Sequence, residues 1–247
     1  KETSVFIALW KGKRLNQEEG TKRSGIKTVM WLTELDSIFE RLRADFQTIF
    51  LNSEPHAALL RESHPLHELH SAVPALNEMR TIKAPEEIEQ IRRAIDITGQ
   101  GLTKAWAAMA PGLPEYALEA ELTAQFTRAG ATGSAFSAII AGGKNATVIH
   151  YTGNDSAIGA SDLVLFDVGA EAGYYAADIS RTVPVSGHLA DRQKGVYEAV
   201  YRAQQAGIKA HKPGTTILEI DAKMREILTQ EITKLGLTEP LEKYYPH

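Results

Sequence analysis

The 247-residue sequence contains no cysteine. That absence excludes disulfide scaffolds, thiolate metal sites and a cysteine nucleophile, and it fits a reducing compartment, so we expect a cytoplasmic protein. The sequence also lacks an apolar run of about 18 residues, so no membrane span is predicted. An excess of basic residues is missing as well, since 27 Lys and Arg face 31 Asp and Glu. Nucleic acid and anionic membranes are therefore not expected partners, and small molecules or peptides are.

The composition is that of a folded protein, with 43% hydrophobic and 23% charged residues. A chain of this length exceeds one ordinary domain of roughly 100–200 residues, so a large domain beside a smaller one is expected. The first 51 residues alternate between apolar runs and amphipathic stretches. Apolar runs at 5–10, 26–32 and 48–51, with an amphipathic stretch at 33–43, predict a βαβαβ order. We interpret 1–75 as a partial α/β amino-terminal domain and its linker.

The linker is predicted over 52–74, a segment without sustained hydrophobic period. Four of the eight histidines of the chain fall in it: His56, His64, His67 and His70. A tract of histidines can bind metal, but solvated linker histidines are much more common. We therefore assign them no site.

The segment 76–247 shows helix signals in two similar pairs. Pro85 opens the first helix, followed by acids in its first turn, and Pro111-Gly112 ends it. A second helix is predicted from about 114 to Gly130. The same order of helix, Pro-Gly and helix recurs at 191–211 and 217–235. Two related halves would explain this, although Pro-Gly can join any two helices.

A strand-rich block at 136–185 lies between the helix pairs. Its predicted strands are 148–151, 163–168 and 174–185. Strands flanked by helix pairs predict an α+β fold, with an antiparallel sheet covered by helices.

Two aspartates in this block stand out. Asp167 lies within the apolar run Leu-Val-Leu-Phe-Asp-Val, where a carboxylate is costly unless it is paired or metal-bound. A hairpin turning at Ala172-Gly173 would place Asp167 directly opposite Asp178, with Cβ atoms roughly 4.5–5.5 Å apart. Facing carboxylates require a shared proton or a cation, and the small neighbours Gly169 and Ala176 leave room for a cation. A looser turn would instead shift the register and point one aspartate at solvent.

His150 ends another apolar run, after a glycine pair. By itself, such a histidine is more often a hydrogen-bonded core residue than a catalyst. Together, however, these residues resemble a known family. The string His150 to Asp155 (HYTGND), then Asp167, then Asp178 to Thr182 (DISRT) is similar to the Xaa-Pro aminopeptidase (aminopeptidase P) and prolidase family of "pita-bread" metallopeptidases. The resemblance covers about 76–247, with a weaker likeness at 10–15.

The resemblance implies a pita-bread catalytic domain over 76–247 and a site of two Asp, one His and two Glu around two divalent ions. Asp167 would bind one ion and Asp178 would bridge both. His150 would stabilise the reacting carbonyl, and His247 would contact substrate rather than metal. We expect both ends of the sequence to be cut, with the remaining ligands beyond His247. Oxygen ligands favour Mn²⁺ over Zn²⁺, although Co²⁺ or Zn²⁺ could also bind.

The resemblance also implies an exopeptidase that hydrolyses the bond between an amino-terminal residue and a following proline. Its partners would be peptides with proline at the second position, and a homo-oligomer is expected. A prolidase that cuts only Xaa-Pro dipeptides is the alternative, because the same ligands serve both. A third hypothesis is a non-catalytic binding protein on the same fold, and the presence of both aspartates argues against it. A metal-free hydrolase of the creatinase type would lack the acid pair.

Overall fold

The computed structural model describes residues 9, 12, 14–46, 48–52, 68–237 and 239. The chain divides into two compact units, Lys1–Lys83 and Ala84–His247. The boundary between the units lies eight residues after the domain boundary expected from the sequence. Across the described ranges, no helix is long and apolar enough to cross a membrane.

The first unit contains helices and a pair of parallel strands. In chain order these are α1 (Gln17–Ser24), α2 (Leu35–Asp45), β1 (Thr48–Leu51), β2 (Glu68–Ser71) and α3 (Val73–Met79). β1 pairs in parallel with β2, as an α/β arrangement requires. The predictions of a helix near 33–43 and a strand at 48–51 are confirmed.

Two predictions for this unit are wrong. The run 26–32 forms no strand and leads into a 3₁₀ turn, Leu32–Glu34. Ile26 and Leu32 are 59% and 83% exposed, so strand propensity alone did not decide the local structure. The predicted linker instead contains β2 and the start of α3, and His70 on β2 lies against Phe50 with ring centroids 5.5 Å apart. The other three linker histidines, and all of 5–10 except Leu9, fall outside the described residues.

The second unit has the two predicted helix pairs. They are α4 (Pro85–Ala108) with α5 (Glu115–Arg128), and α6 (Asp191–Ala210) with α7 (Ile217–Lys234). Each lies within two residues of its predicted bounds. Local chemistry explains the ends, since the carboxylate of Glu87 accepts a hydrogen bond from the Ala84 N–H at 2.7 Å, and Gly112 and Gly130 adopt positive φ after α4 and α5.

The strands of the second unit form two small antiparallel sheets. They are β3 (Gly133–Ser134), β4 (Ile139–Gly142), β5 (Leu163–Val168), β6 (Ala170–Ala172), β7 (Tyr175–Ala176) and β8 (Ile179–Pro184). The orders are β3-β6-β7 and β4-β5-β8. The α+β fold class with an antiparallel sheet is confirmed. The predicted strand at 148–151 is wrong, because 143–147 is a 3₁₀ helix and the chain then turns through His150.

The core of this unit lies between α4, α5 and the sheets. Its largest fully buried apolar side chains are Leu118, Leu122, Ile140, Ile158, Val164, Phe166 and Val168. Each contributes about 1.5–3 kcal/mol by leaving water. Along β5, buried residues alternate with half-buried ones, which turns Asp167 to the face opposite Phe166. One face of β5 therefore packs into the core, and the opposite face carries Asp167.

The register of the hairpin differs from the prediction. The two central turn residues are Gly173 and Tyr174, with φ of 56° and 66°, one position later than expected. Positive φ at both positions is the geometry of a type I′ turn, and here a tyrosine rather than a second glycine accepts it. As a result Asp167 pairs with Ser180, and not with Asp178. In the same register, Phe166 pairs with Arg181 and Val168 with Ile179.

A shift of two positions has a limited consequence. Successive side chains of a strand alternate between faces, so a slip of one residue would have moved Asp178 to the other face. A slip of two leaves it on the same face as Ser180 and Asp167. The prediction of direct opposition is wrong, and the two aspartates become diagonal neighbours.

Candidate metal centre and its histidine loop

Asp167 has an unusual hydrogen-bonding state. It lies on β5 between Ile139 of β4 and Ser180 of β8. Its Oδ1 atom is buried, and no described residue donates a hydrogen bond to it. A buried carboxylate oxygen without a donor loses its water hydrogen bonds and gains nothing in exchange. This oxygen therefore calls for a cation or a proton.

Asp178 lies beside it, in the two-residue interruption between β7 and β8. The backbones come close here, since a Cβ atom on Gly169 would lie 1.7 Å from the Ala177 carbonyl oxygen. Only glycine permits this approach. Although the residue is exposed, partial burial of the Asp178 carboxyl raises its pKa, and the negative charge of Asp167 raises it further. The two carboxyl groups thus repel each other when both are ionised.

The donor set of the pair fits a hard divalent cation. Carboxylate oxygens are the ligands that Mg²⁺, Ca²⁺ and Mn²⁺ prefer, and a cation would satisfy the orphaned Asp167 oxygen while removing the repulsion. Within the described ranges, no group of three or more His, Asp or Glu side chains is placed to hold an ion. The described part of the chain therefore offers two carboxylates that could hold a cation.

His150 lies on a separate segment, residues 143–155, which we call the His150 loop. Its side chain is exposed, as are those of Val148 and Ile149 at 52% each. Among the described residues it does not join the two acids in a three-member group. His247 lies outside the described residues. The structure thus brings Asp167 and Asp178 together and holds His150 on a loop of its own.

Glu115, the first residue of α5, is a site residue that the sequence reading missed. It is fully buried, and both of its carboxylate oxygens accept hydrogen bonds. Oε1 accepts from the Gly142 N–H at 2.7 Å and from Asn145 Nδ2 at 3.0 Å. Oε2 accepts from the Tyr151 hydroxyl at 2.8 Å and from the Ser156 N–H at 3.0 Å. Acids are common in first turns of helices, so the sequence carried no distinguishing signal.

Asn154 provides a second attachment of the loop. It is buried and has a φ of 46°, a left-handed conformation that asparagine tolerates better than most residues. Its Oδ1 accepts from the Ile140 N–H at 2.9 Å, and its Nδ2 donates to the Ala138 carbonyl at 2.8 Å. Nδ2 also lies 2.9 Å from Oε2 of Glu119, one turn after Glu115 on α5. The loop is therefore tied both to the edge of β4 and to α5.

The antiparallel sheet covered by helices, the acid pair in its hairpin and the histidine loop held by Glu115 define a scaffold of the pita-bread metallopeptidase class. The model of metallopeptidase family M24 matches residues 89–247. The chain belongs to this family, and divalent metal is the cofactor that the family implies.

Relatives of known sequence and structure agree with this membership. The Xaa-Pro aminopeptidases of Escherichia coli and Haemophilus influenzae are 31% and 33% identical over 93% and 94% of this chain, and 55% of each relative is covered. A solved structure of Escherichia coli aminopeptidase P in complex with substrate has a TM-score of 0.88 and 29% identity, covering 97% of this chain and 58% of that one.

Proline aminopeptidase P II from Yersinia pestis is similar with a TM-score of 0.87 and 31% identity, again over 97% of this chain and 58% of the other. The chain spans about half the length of the relatives of known sequence that it matches. These likenesses establish the fold of the chain.

Proposed function

We propose that this protein is a metal-dependent Xaa-Pro aminopeptidase. The observation that carries the proposal is the buried Asp167 oxygen without a donor, beside a second carboxylate whose pKa is raised. Relatives named Xaa-Pro aminopeptidase, aligned over more than nine tenths of the chain, support it. The substrates would be peptides with proline at the second position.

Asp167 and Asp178 are the proposed ligands and would hold the divalent ions. Divalent ions, for which Mn²⁺ suits the oxygen ligands best, supply a Lewis acid and lower the pKa of a water molecule from about 15.7 towards 7. Both aspartates belong to one hairpin, Asp167 on β5 and Asp178 in the two-residue interruption between β7 and β8, and this placement would fix the positions of their carboxylates. His150 donates a hydrogen bond to the substrate carbonyl oxygen as negative charge develops on it. His247 contacts substrate.

Two further features belong to the proposal. A cysteine-free chain suits the reducing cytoplasm, so we place the enzyme there. We also expect a homo-oligomer, which sedimentation would measure.

A prolidase is the alternative, since the same metal ligands would serve it. It is less favoured because the matched relatives are named aminopeptidases. A non-catalytic binding protein is disfavoured by the presence of both aspartates.

The test uses full-length protein, an Xaa-Pro-Yaa tripeptide and an Xaa-Pro dipeptide. Cleavage of the tripeptide should require Mn²⁺, cease with chelator and return when metal is restored. Asp178→Asn should lower kcat/KM by orders of magnitude, and Glu121→Gln, an exposed change on α5, should not. Cleavage of the dipeptide alone would favour a prolidase, and full activity after exhaustive chelation would refute the metal mechanism.

Thermal melting provides a check that does not depend on activity. Mn²⁺ should raise the Tm of the parent by mass action and raise that of Asp178→Asn much less. An equal rise in both proteins would show that Asp178 is not a ligand.

A further inference from the structure

The His150 loop is fastened to the first turns of one helix by two carboxylates. Glu115 and Glu119 are separated by four residues on α5, so their side chains lie on the same face. Glu119 accepts one hydrogen bond from the loop, donated by Asn154 Nδ2 at 2.9 Å. Glu115 takes four hydrogen bonds from it and its borders, at Gly142, Asn145, Tyr151 and Ser156. Glu115 is therefore the main attachment.

Because Glu115 is fully buried, its carboxylate needs hydrogen-bond donors from the protein. A fully buried carboxylate is costly unless hydrogen bonds or a cation replace its water. All four donors to Glu115 are uncharged groups, two backbone N–H groups, one amide and one hydroxyl. The position at the amino-terminal end of α5 adds the favourable end of the helix dipole. The carboxylate is satisfied only while the loop keeps its present path.

The donors bracket His150 in the sequence. Gly142 and Asn145 precede it, and Tyr151 and Ser156 follow it, so the chain leaves Glu115 and returns to it on either side of the histidine. Tyr151 is the adjacent residue, and its hydroxyl is 2.8 Å from Glu115 Oε2. The return is also held by the backbone, since the Glu115 N–H donates to the Ser156 carbonyl at 3.0 Å. The exposed imidazole of His150 thus extends from a backbone that is held on both sides.

We propose that Glu115 is a positioning residue for His150: it holds the His150 loop so that the imidazole meets the substrate carbonyl. This inference rests on the proposed function, in which His150 acts on that carbonyl. Glu115 itself touches neither substrate nor metal. A displacement of about 1 Å in a catalytic group can lower a rate by about 100-fold. Accurate positioning of His150 can therefore offset the cost of burying Glu115.

The site requires a carboxylate and not merely a polar side chain of the same shape. Glutamine has one acceptor oxygen and one NH₂ group. Each oxygen of Glu115 faces a backbone N–H, from Gly142 on one side and from Ser156 on the other. In either orientation of the glutamine in Glu115→Gln, its NH₂ group would face one of these backbone N–H groups, which can only donate. That N–H group would lose its acceptor. The substitution should therefore release one side of the loop.

The first experiment is a double-mutant cycle in the Mn²⁺-loaded full-length enzyme with an Xaa-Pro-Yaa tripeptide. Glu115→Gln should lower kcat about 100-fold and change KM little, because His150 acts on charge that develops only in the transition state. In a His150→Ala background, the same substitution should change kcat less than about threefold, since the group it positions is gone. An equal loss in both backgrounds would overturn the inference.

The second experiment measures hydrogen exchange of the metal-free protein. Exchange of backbone amides in 143–155 should rise at least about tenfold in Glu115→Gln and stay unchanged in Glu121→Gln. Unchanged exchange in Glu115→Gln would overturn the inference on its own. Full kcat in His150→Ala would instead refute the proposed role of His150, so the two failures are distinguishable.

Two further variants separate positioning from lost stability. Phe126→Leu opens a cavity at the α4–α5 contact, eleven residues and three turns from Glu115, and should lower the Tm while preserving kcat at assay temperature. Tyr151→Phe removes one of the four donors and should shift kcat and loop exchange in the same direction as Glu115→Gln, by less. It also carries the test if Glu115→Gln does not fold, and normal kcat with normal exchange in Tyr151→Phe would then count against the inference.

Discussion

Glu115 and Asp167 are two carboxylates of the same compact unit in opposite states. Glu115 is fully buried and accepts four hydrogen bonds. Asp167 is half-buried, yet one of its oxygens is buried and has no donor among the described residues. Its neighbour is a second carboxylate, Asp178. Glu115 is surrounded by hydrogen-bond donors, whereas Asp167 lies next to a carboxylate that repels it.

The difference teaches how a buried acid reveals its role. A protein that must keep a carboxylate inside for structure surrounds it with donors, because an unsatisfied buried group costs stability. A buried carboxylate oxygen without a donor, next to another acid, is costly unless a cation or a proton satisfies it. Glu115 is thus explained by the fold alone, whereas the Asp167–Asp178 pair fits the proposed cation site.

The largest effect should come from breaking the satisfied site. Glu115→Gln in metal-free protein should lower the free energy of unfolding by about 1–3 kcal/mol, because at least one buried N–H loses its acceptor. Urea unfolding measures this, with Glu121→Gln as the matched change at an exposed position of the same helix. A loss no greater than that of Glu121→Gln would show that the four hydrogen bonds contribute little.

The same substitution type at the unsatisfied site should have the opposite sign. In metal-free protein, Asp167→Asn should leave the free energy of unfolding unchanged or raise it by up to about 1 kcal/mol. Its amide removes the repulsion and can donate to Asp178. Urea unfolding in excess chelator is the measurement. A destabilisation as large as that of Glu115→Gln would remove the contrast between the two sites.

A third carboxylate, exposed and satisfied, should give the smallest effect. Backbone and side-chain hydrogen bonds from Thr216, at 2.7 and 2.9 Å, hold the pKa of Glu219 below its ordinary value of 4.5. Since the folded pKa lies below the unfolded one, this stabilisation is present above about pH 4.5 and is lost as the pH falls through the folded pKa.

NMR titration should show the lowered pKa of Glu219 directly. Glu219→Gln should flatten the pH dependence of stability slightly in that range and leave it unchanged near neutrality. A Glu219 pKa at its ordinary value would contradict the capping interaction.

Much of the second unit could be predicted because its signals are local. Pro85 with its following acids, and Gly112 and Gly130 after the helices, act within a few residues of the ends that they define. Likewise, the cost of burying Asp167 can be inferred from the six consecutive residues Leu163 to Val168, of which the other five are apolar. The two aspartates were therefore found as a pair, although their roles as ligands stay predictions.

The exact pairing of the hairpin could not be predicted, because it depends on a conformational choice at its tip. Glycine at 173 suits either of two turns, and the observed one requires positive φ at Tyr174 as well. Tyrosine rarely adopts that conformation, so local propensity favoured the wrong register. The pairing of the strands determines the turn. Of the predicted register, only the assignment of Asp167 and Asp178 to the same face is correct.

By itself, the sequence determined the two helix pairs of the second unit, the α+β class and the face shared by Asp167 and Asp178, since each follows from periodicity or from neighbouring residues. Tertiary structure alone decided the path of the His150 loop and the state of Glu115. The backbone N–H groups that satisfy this carboxylate lie 27 and 41 residues away in the chain. Whether a buried acid is satisfied depends on donors that folding brings to it, and no local pattern of residues records them.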